Sequence, residues 1–79
     1  PHYAPVYREL LELMSEGPAT KQEVDKVAES NPLTAVPRMY GGHFVGELER
    51  AGAAEWDGAW AITEYGRTLL AELVATGKE

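Results

Sequence analysis

Histidine and cysteine, two side chains that often serve acid–base, nucleophilic and metal chemistry, are scarce in this chain. Histidine occurs only at His2 and His43, and cysteine is absent. Without cysteine there can be no disulfide, thiolate nucleophile or Cys-based metal site. A site built on His43 would need carboxylates from distant parts of the chain to converge on it. The Gly41-Gly42 pair is followed by no lysine, so it does not form a phosphate-cradling loop. The sequence therefore predicts a non-enzymatic protein with no metal and no cofactor.

Contact with nucleic acid is a second chemistry to weigh, because Arg38, His43 and Arg50 fall in or beside a predicted third helix. On its outer side they could touch phosphates or base edges. Glu47 and Glu49 lie in the same segment and offset the two arginines. The whole chain has 13 acidic residues against 7 Lys and Arg, a net charge of -6. Because this charge opposes approach to a polyphosphate, solvated surface charge is the alternative for Arg38 and Arg50.

A protein-contact surface is predicted on the same side of the third helix. Gly42 and Gly46 are four residues apart and share a helix face with Met39, a spacing that allows close approach of another helix. We expect this surface, or an outward Trp56, to contact a partner protein or a second copy of the chain. The alternative for the glycines is that they relieve crowding inside the domain.

The periodicity of apolar residues and the turn residues between them predict four helices. Thr20 and Glu23 have the spacing of a capping box at the start of the second helix. Tyr40 and Phe44 are predicted to face inward from the third helix. The first two helices are predicted over residues 5–16 and 20–30, and the third from just after Pro37 to residue 50, with a loop that has room for one helical turn at residues 31–37. The last helix is predicted to start at Thr63, whose side-chain oxygen would cap it.

A hairpin is predicted between the third and fourth helices. Asp57-Gly58 can form a two-residue turn, which would place Trp56 opposite Ala59 and Glu55 opposite Trp60. In this register one face of the hairpin carries Ala53, Glu55, Trp60 and Ile62, and the other carries Ala54 and Trp56. Trp60 is then expected to be buried, while Trp56 is half exposed.

Two segments carry a resemblance to a known family. Leu48-Glu49-Arg50-Ala51-Gly52-Ala53-Ala54-Glu55-Trp56 resembles the exit from the third helix into the wing of winged helix-turn-helix proteins. Ile62-Thr63-Glu64-Tyr65-Gly66-Arg67-Thr68-Leu69-Leu70 resembles the recurring "L-T-x-x-G-R-x-L-L" phrase at the start of their last helix, notably in the PadR-like group. The resemblance implies an α+β, mostly α, winged helix-turn-helix domain over residues 1–79, with four helices and a short two-stranded antiparallel wing.

The same resemblance implies a DNA-binding transcriptional regulator, and two departures favour another use of the fold. The link between the second and third helices is longer than the usual three or four residues. The short wing carries the acids Glu55 and Asp57, which repel phosphate. We therefore keep two expectations open: double-stranded DNA as the partner, or a winged helix that serves protein contact or dimerisation.

The composition indicates a single small domain without a membrane partner or an evident small-molecule ligand. A chain of 79 residues buries only about 60% of the surface that its unfolded form exposes. No apolar run is long enough to cross a bilayer, so a cytoplasmic location is expected. The first residue is not Met, and both a fragment of a longer protein and simple removal of Met are consistent with that.

Overall fold

The computed structural model describes residues 3–35 and 38–76, which contain four α-helices and one two-stranded antiparallel sheet. This architecture confirms the predicted α+β, mostly helical fold with a winged-helix-like layout. His2 and Pro37, after which the third helix is predicted to start, lie outside the described residues. The elements are α1 (Ala4–Ser15), α2 (Lys21–Ser30), a 3₁₀ turn (Pro32–Thr34), α3 (Gly41–Arg50), β1 (Ala54–Trp56), β2 (Trp60–Ile62) and α4 (Glu64–Thr76).

Helix α1 lies at the centre of the domain and contacts α2, α3, α4 and β2. Its apolar residues recur at helical spacing, and four of them, Val6, Leu10, Leu11 and Met14, are fully buried in the core shared with α2 and α3. The rings of Tyr3 and Tyr7 meet Phe44 edge to face, with ring centres 5.3 and 5.5 Å apart, a favoured geometry for aromatic pairs. The buried residues of the three helices are Val6, Leu10, Leu11, Met14, Val24, Ala28, Phe44, Val45 and Leu48.

Both predicted helix caps are confirmed. The Glu23 backbone N–H donates to Thr20 Oγ1 at 3.1 Å, and the Thr20 N–H donates to Glu23 Oε1 at 2.9 Å, which is a complete capping box. At α4, the Gly66 N–H donates to Thr63 Oγ1 at 3.0 Å, and the same hydroxyl donates to the Gly52 carbonyl at 2.6 Å. Thr63 therefore caps α4 and ties its start to the end of α3.

The link between α2 and α3 contains the single helical turn for which the sequence left room. Pro32 begins this 3₁₀ turn, and the Asn31 side chain accepts a hydrogen bond from the Leu33 N–H at 2.9 Å. The buried Thr34 hydroxyl donates to the Ala28 carbonyl at 2.5 Å. These bonds attach the 3₁₀ turn to the end of α2, so this part of the link is held in place although the link is long.

The predicted start of the third helix is wrong by several residues, and so is the inward position of Tyr40. Helix α3 begins at Gly41, and Tyr40 precedes it in an extended conformation with a side chain that is 59% exposed. The Met39 N–H donates to the Thr34 carbonyl at 2.9 Å, which turns the chain back toward the 3₁₀ turn. Met39, half buried against the core, takes the inward position instead. Because the bond to Thr34 holds Met39 and Tyr40 outside the helix, helical spacing does not predict which way their side chains face.

The predicted hairpin register is wrong by one residue on the second strand. The pairs are Ala54 with Ile62, Glu55 with Ala61, and Trp56 with Trp60, so three residues connect the strands. Gly58 has a φ of 77°, a conformation that glycine adopts without steric cost. This register keeps Ala54 and Ile62 together on the inner side and leaves Glu55 in solvent. The predicted register would have placed Glu55 beside Ile62, which costs free energy because the charge loses water.

The hairpin is attached to the segment between α1 and α2. The Ala19 and Trp60 backbones exchange two N–H to carbonyl bonds, each of 2.8 Å. One edge of β2 is thereby paired at Trp60. Within residues 3–35 and 38–76, no helix has the length and apolar character needed to span a membrane.

Candidate functional site

The α3 outer face, defined here as Gly42, His43, Gly46, Glu49 and Arg50, is the side of α3 opposite its buried residues. It contains two of the three predicted DNA-contact residues and two of the four predicted protein-contact residues. Arg38 and Met39 do not belong to it, because both precede the helix. Met39 is partly covered by the core, so its prediction as a member of a free contact surface on the helix is wrong.

Arg38 is exposed immediately before α3. Its guanidinium carbon lies 5.6 Å from the centre of the Tyr40 ring, within the range of a cation–π contact. This contact holds the positive charge beside the start of the helix while leaving both side chains in solvent. The prediction of Tyr40 as an inward residue of the third helix hid this contact, which depends on the extended conformation of Tyr40 before α3.

His43 and the start of α3 lie next to this pair. The His43 side chain is exposed, and its ring meets the Phe44 ring edge to face with centres 5.1 Å apart. No side chain caps the start of α3. A helix start carries partial positive charge on its free N–H groups, which adds to the charge of Arg38.

Arg50 is less available than Arg38. Its guanidinium pairs with the Glu47 carboxylate, one turn before it in α3, and Glu49 is also exposed on the α3 outer face. The two ends of the face therefore differ in charge. The positive charge of Arg38 lies just before the face, and the end of the face is neutral to acidic.

The distribution of acidic residues along the sequence indicates this difference in charge, whereas the net charge of the whole chain does not. Residues 31–46 include no aspartate or glutamate, although they include Arg38 and His43. The residue before this stretch closes α2, and Glu47 follows it in the second half of α3. A single charge count over α3 and the hairpin includes the acidic end of α3 and the acidic hairpin. Such a count therefore does not show that the start of α3 lacks acidic residues.

The glycines of α3 fall into two groups. A Cβ atom on Gly41 would lie 2.7 Å from the Val24 carbonyl oxygen, so close packing of α3 on α2 requires glycine there. A Cβ atom on Gly42 would meet nothing within 4 Å, and one on Gly46 would only approach Arg50 Nη1 at 4.0 Å. Relief of internal crowding is therefore wrong as an explanation for Gly42 and Gly46, which leave the outer side of the helix open.

Trp56 is exposed on the hairpin, as predicted, with 47% of its side chain accessible. Its ring centre lies 5.2 Å from that of Trp60, because the observed register places both rings on one face of the hairpin. Glu55 and Asp57 beside it are exposed. Among the described rings, the aromatic partner of Trp56 is Trp60. Trp56 therefore belongs to the hairpin surface and not to the cationic start of α3.

The Tyr7 phenol, on α1, has a raised pKa. Burial raises the pKa of the Tyr7 phenol above its usual value of 10.0; the negative Glu47 raises it further, and Arg50 acts in the opposite direction. Among the side chains in residues 3–35 and 38–76, no three His, Asp or Glu residues converge as a metal site would require.

These features define a small α+β domain of winged-helix-like layout with a cationic start of α3. The chain has no significant match to a protein-family model, to a curated protein sequence or to a solved structure.

Proposed function

We propose that this chain is a non-catalytic winged-helix module of a transcriptional regulator and that it binds double-stranded DNA through the start of α3. The observation that carries the proposal is the exposed, acid-free, cationic segment around Arg38 and His43 at an uncapped helix start. Helix starts with flanking cations are suited to anion binding, because N–H groups and side-chain charge point at the same ligand.

The small residues of the α3 outer face support close approach to DNA. Because Gly42 and Gly46 project no side chain, the backbone of α3 could come nearer to a sugar–phosphate strand there than at positions with side chains. Arg38 would contact a phosphate with its planar guanidinium, which is suited to two parallel hydrogen bonds. His43 would contact the same strand or a base edge.

The acidic hairpin limits this interface. Glu55 and Asp57 repel phosphate, so we expect the wing to contribute no phosphate contact. With few cations and a net charge of -6, the affinity of the isolated domain should be weak at physiological salt and should fall steeply as salt is added.

Fluorescence anisotropy with a labelled duplex of random sequence at about 20 mM salt tests the proposal, because nonspecific affinity is strongest at low salt. We expect Arg38→Ala to weaken binding about threefold to tenfold and to reduce the slope of log K against log salt by about 0.9, as for one lost phosphate contact. The matched control is Arg8→Ala, which removes the same charge from α1, where Arg8 pairs with Glu12 at 3.2 Å. Absence of wild-type binding, or an equal loss in both variants, would exclude the proposed interface.

A second variant tests the electrostatics of α3 in the opposite direction. Glu47→Gln removes the carboxylate that pairs with Arg50 and frees a cation on the α3 outer face. We expect duplex affinity to rise by about threefold at low salt, because one more phosphate can be neutralised. Glu29→Gln on α2 makes the same charge change elsewhere and serves as the control. A rise of the same size in both variants would reflect net charge alone and would exclude a specific role of Arg50.

Protein contact or dimerisation is the second candidate function, and the exposed Trp56 favours it. An exposed tryptophan flanked by carboxylates is better suited to a protein surface than to phosphate, and tryptophan is enriched at the centres of interfaces. Sedimentation equilibrium of the wild type, Trp56→Ser and Gly46→Glu tests contact between two copies. An unchanged monomer in all three proteins would exclude the dimer.

A further inference from the structure

Helix α4 leaves apolar surface uncovered. Its apolar stripe consists of Leu69, Leu70, Leu73 and Val74, and all four are only partly buried. Gly66 is its one fully buried residue. The helix packs on α1 and β2, which together cover part of the stripe.

The uncovered surface continues into a groove between α1 and α4, called here the α1–α4 groove, with a volume of about 600 Å³. No residue of α3 or of the hairpin is among its described lining. On the other side of Leu73 and Ala4 lies a second groove of about 250 Å³, whose lining includes Tyr7, Leu48 and Leu69. Volumes of this size accommodate apolar side chains of a partner. The α1–α4 groove is lined by Ala4, Pro5, Arg8, Glu9, Glu12, Leu73 and Thr76.

The exposed edge of α1 gives this groove an acidic rim. Glu9, Glu12 and Glu16 follow one side of the helix at spacings of three and four residues. Glu9 and Glu12 line the α1–α4 groove, and all three line an adjoining groove against α2 whose apolar walls include Leu13 and Val27. Arg8 offsets one carboxylate by pairing with Glu12 at 3.2 Å, so the rim as a whole stays negative.

We propose that the α1–α4 groove docks a basic amphipathic helix of another protein. Apolar residues of such a helix, repeating every three or four positions, would lie against Leu73, Ala4 and Pro5, and its Lys or Arg residues would face the carboxylates. A second copy of this chain is a poor occupant, because it would bring its own net charge of -6 against the same rim. The groove lies outside the α3 outer face, so this docking does not depend on DNA binding.

The test uses a fluorescein-labelled synthetic peptide of about 18 residues in which leucines repeat at helical spacing and lysines fill the other positions. A peptide of the same composition with the leucines scrambled is the reference. We expect the amphipathic peptide to bind at micromolar concentration, about tenfold more tightly than the scrambled one. Amide chemical-shift changes on the labelled full chain should concentrate at Ala4, Glu12 and Leu73.

The charge contribution is tested with two double variants of equal net charge. Glu9→Lys with Glu16→Lys reverses exposed carboxylates on the rim, and we expect it to weaken peptide binding about tenfold. Glu29→Lys with Glu49→Lys reverses exposed carboxylates outside the groove, and we expect a loss below about threefold. Thermal unfolding of each variant checks that the fold is retained, and Glu9→Lys alone, at a residue that lines the groove, is the fallback where the pair unfolds, with Glu29→Lys alone as its control.

Several outcomes would overturn the proposal. These are equal binding of the two peptides, equal losses in the two sets of variants, and shift changes located on α3 or the hairpin. A wild-type dimer in sedimentation that Glu9→Lys with Glu16→Lys changes would assign the groove to a second copy instead.

Discussion

At the scale of single residues, the same amino acid has opposite roles at neighbouring positions of α3. Gly41 is packed against the Val24 backbone, whereas Gly46 has an open side. Only contact with α2 distinguishes the two positions.

We expect Gly41→Ala to lower the free energy of unfolding by about 1–3 kcal/mol, because its Cβ would press on a backbone carbonyl that cannot move freely. Gly46→Ala on the same helix should raise it by roughly 1 kcal/mol, the difference in helix propensity between the two residues. Urea denaturation measures both. Destabilisation by Gly46→Ala would contradict the open position of this glycine.

Tyr7 predicts a pH dependence at alkaline pH. Its pKa in the folded state is raised above 10.0, chiefly by burial. Below the unfolded pKa the phenol is protonated in both states and contributes no pH dependence. Above it the unfolded chain loses the proton first, so the free energy of unfolding falls as pH rises until the folded pKa is passed.

We therefore expect part of the alkaline loss of stability to be absent in Tyr7→Phe, as measured by urea midpoints between about pH 9 and 11. Tyr65→Phe, at an exposed position of α4, controls for the removal of a phenol. The same pH profile for wild type and Tyr7→Phe would contradict the burial effect.

At the scale of elements, the link from α2 to α3 decides where the third helix starts. The buried Thr34 hydroxyl donates to the carbonyl at Ala28 and approaches that of Asn31 at 2.9 Å. The Thr34 carbonyl in turn receives the Met39 N–H. The link is thus tied to α2 on one side and to the segment before α3 on the other.

Thr34→Val keeps the shape of the side chain and removes its donor. We expect a loss of about 0.5–1.5 kcal/mol in the free energy of unfolding, because the Ala28 carbonyl loses one of its two donors and keeps the Asn31 N–H at 3.2 Å. Thr68→Val, at an exposed position of α4 where the hydroxyl donates over 3.4 Å, should change stability by less than about 0.5 kcal/mol. Similar losses in both variants would show that the buried bond has no special role.

The hairpin shows how far local chemistry predicts an element. Asp57-Gly58 correctly indicated the place of the turn, although three residues and not two connect the strands, and alternation correctly indicated strands on both sides. The register depends on the bridge from Ala19 to Trp60 and on which hairpin face packs on the core, which leaves Glu55 in solvent. Both depend on residues outside the hairpin.

At the scale of the whole molecule, unbalanced charge is the main electrostatic feature. The chain carries a net charge of -6, and within the described residues the two ion pairs, Arg8 with Glu12 and Arg50 with Glu47, are both exposed. Exposed pairs contribute at most about 1 kcal/mol. Repulsion among the carboxylates should therefore outweigh these attractions.

We expect the thermal midpoint at pH 7 to rise between about 10 and 300 mM NaCl, because salt screens the repulsion. Near the calculated isoelectric point of 4.8 the rise should largely disappear, which separates screening from other effects of salt. A midpoint that falls with salt at pH 7 would indicate that attractive pairs dominate.

The candidate site was predictable in part. Arg38, His43 and Arg50 could be named from residue type, and Trp56 from its place beside the turn. The pairing of Arg50 with Glu47, the contact of Arg38 with Tyr40 and the burial of Met39 depend on which residues enter α3, and helical spacing alone did not define that start.

The sequence by itself determined the four helices, the caps of α2 and α4 and the existence of a hairpin, because these depend on the spacing of apolar residues and on bonds within a few positions of the chain. Only the tertiary structure decided the start of α3, the strand register, which glycines are required and where apolar surface stays open. Each of these depends on contacts between distant segments, such as Met39 with Thr34 and Ala19 with Trp60, whose free energies exceed the local preferences.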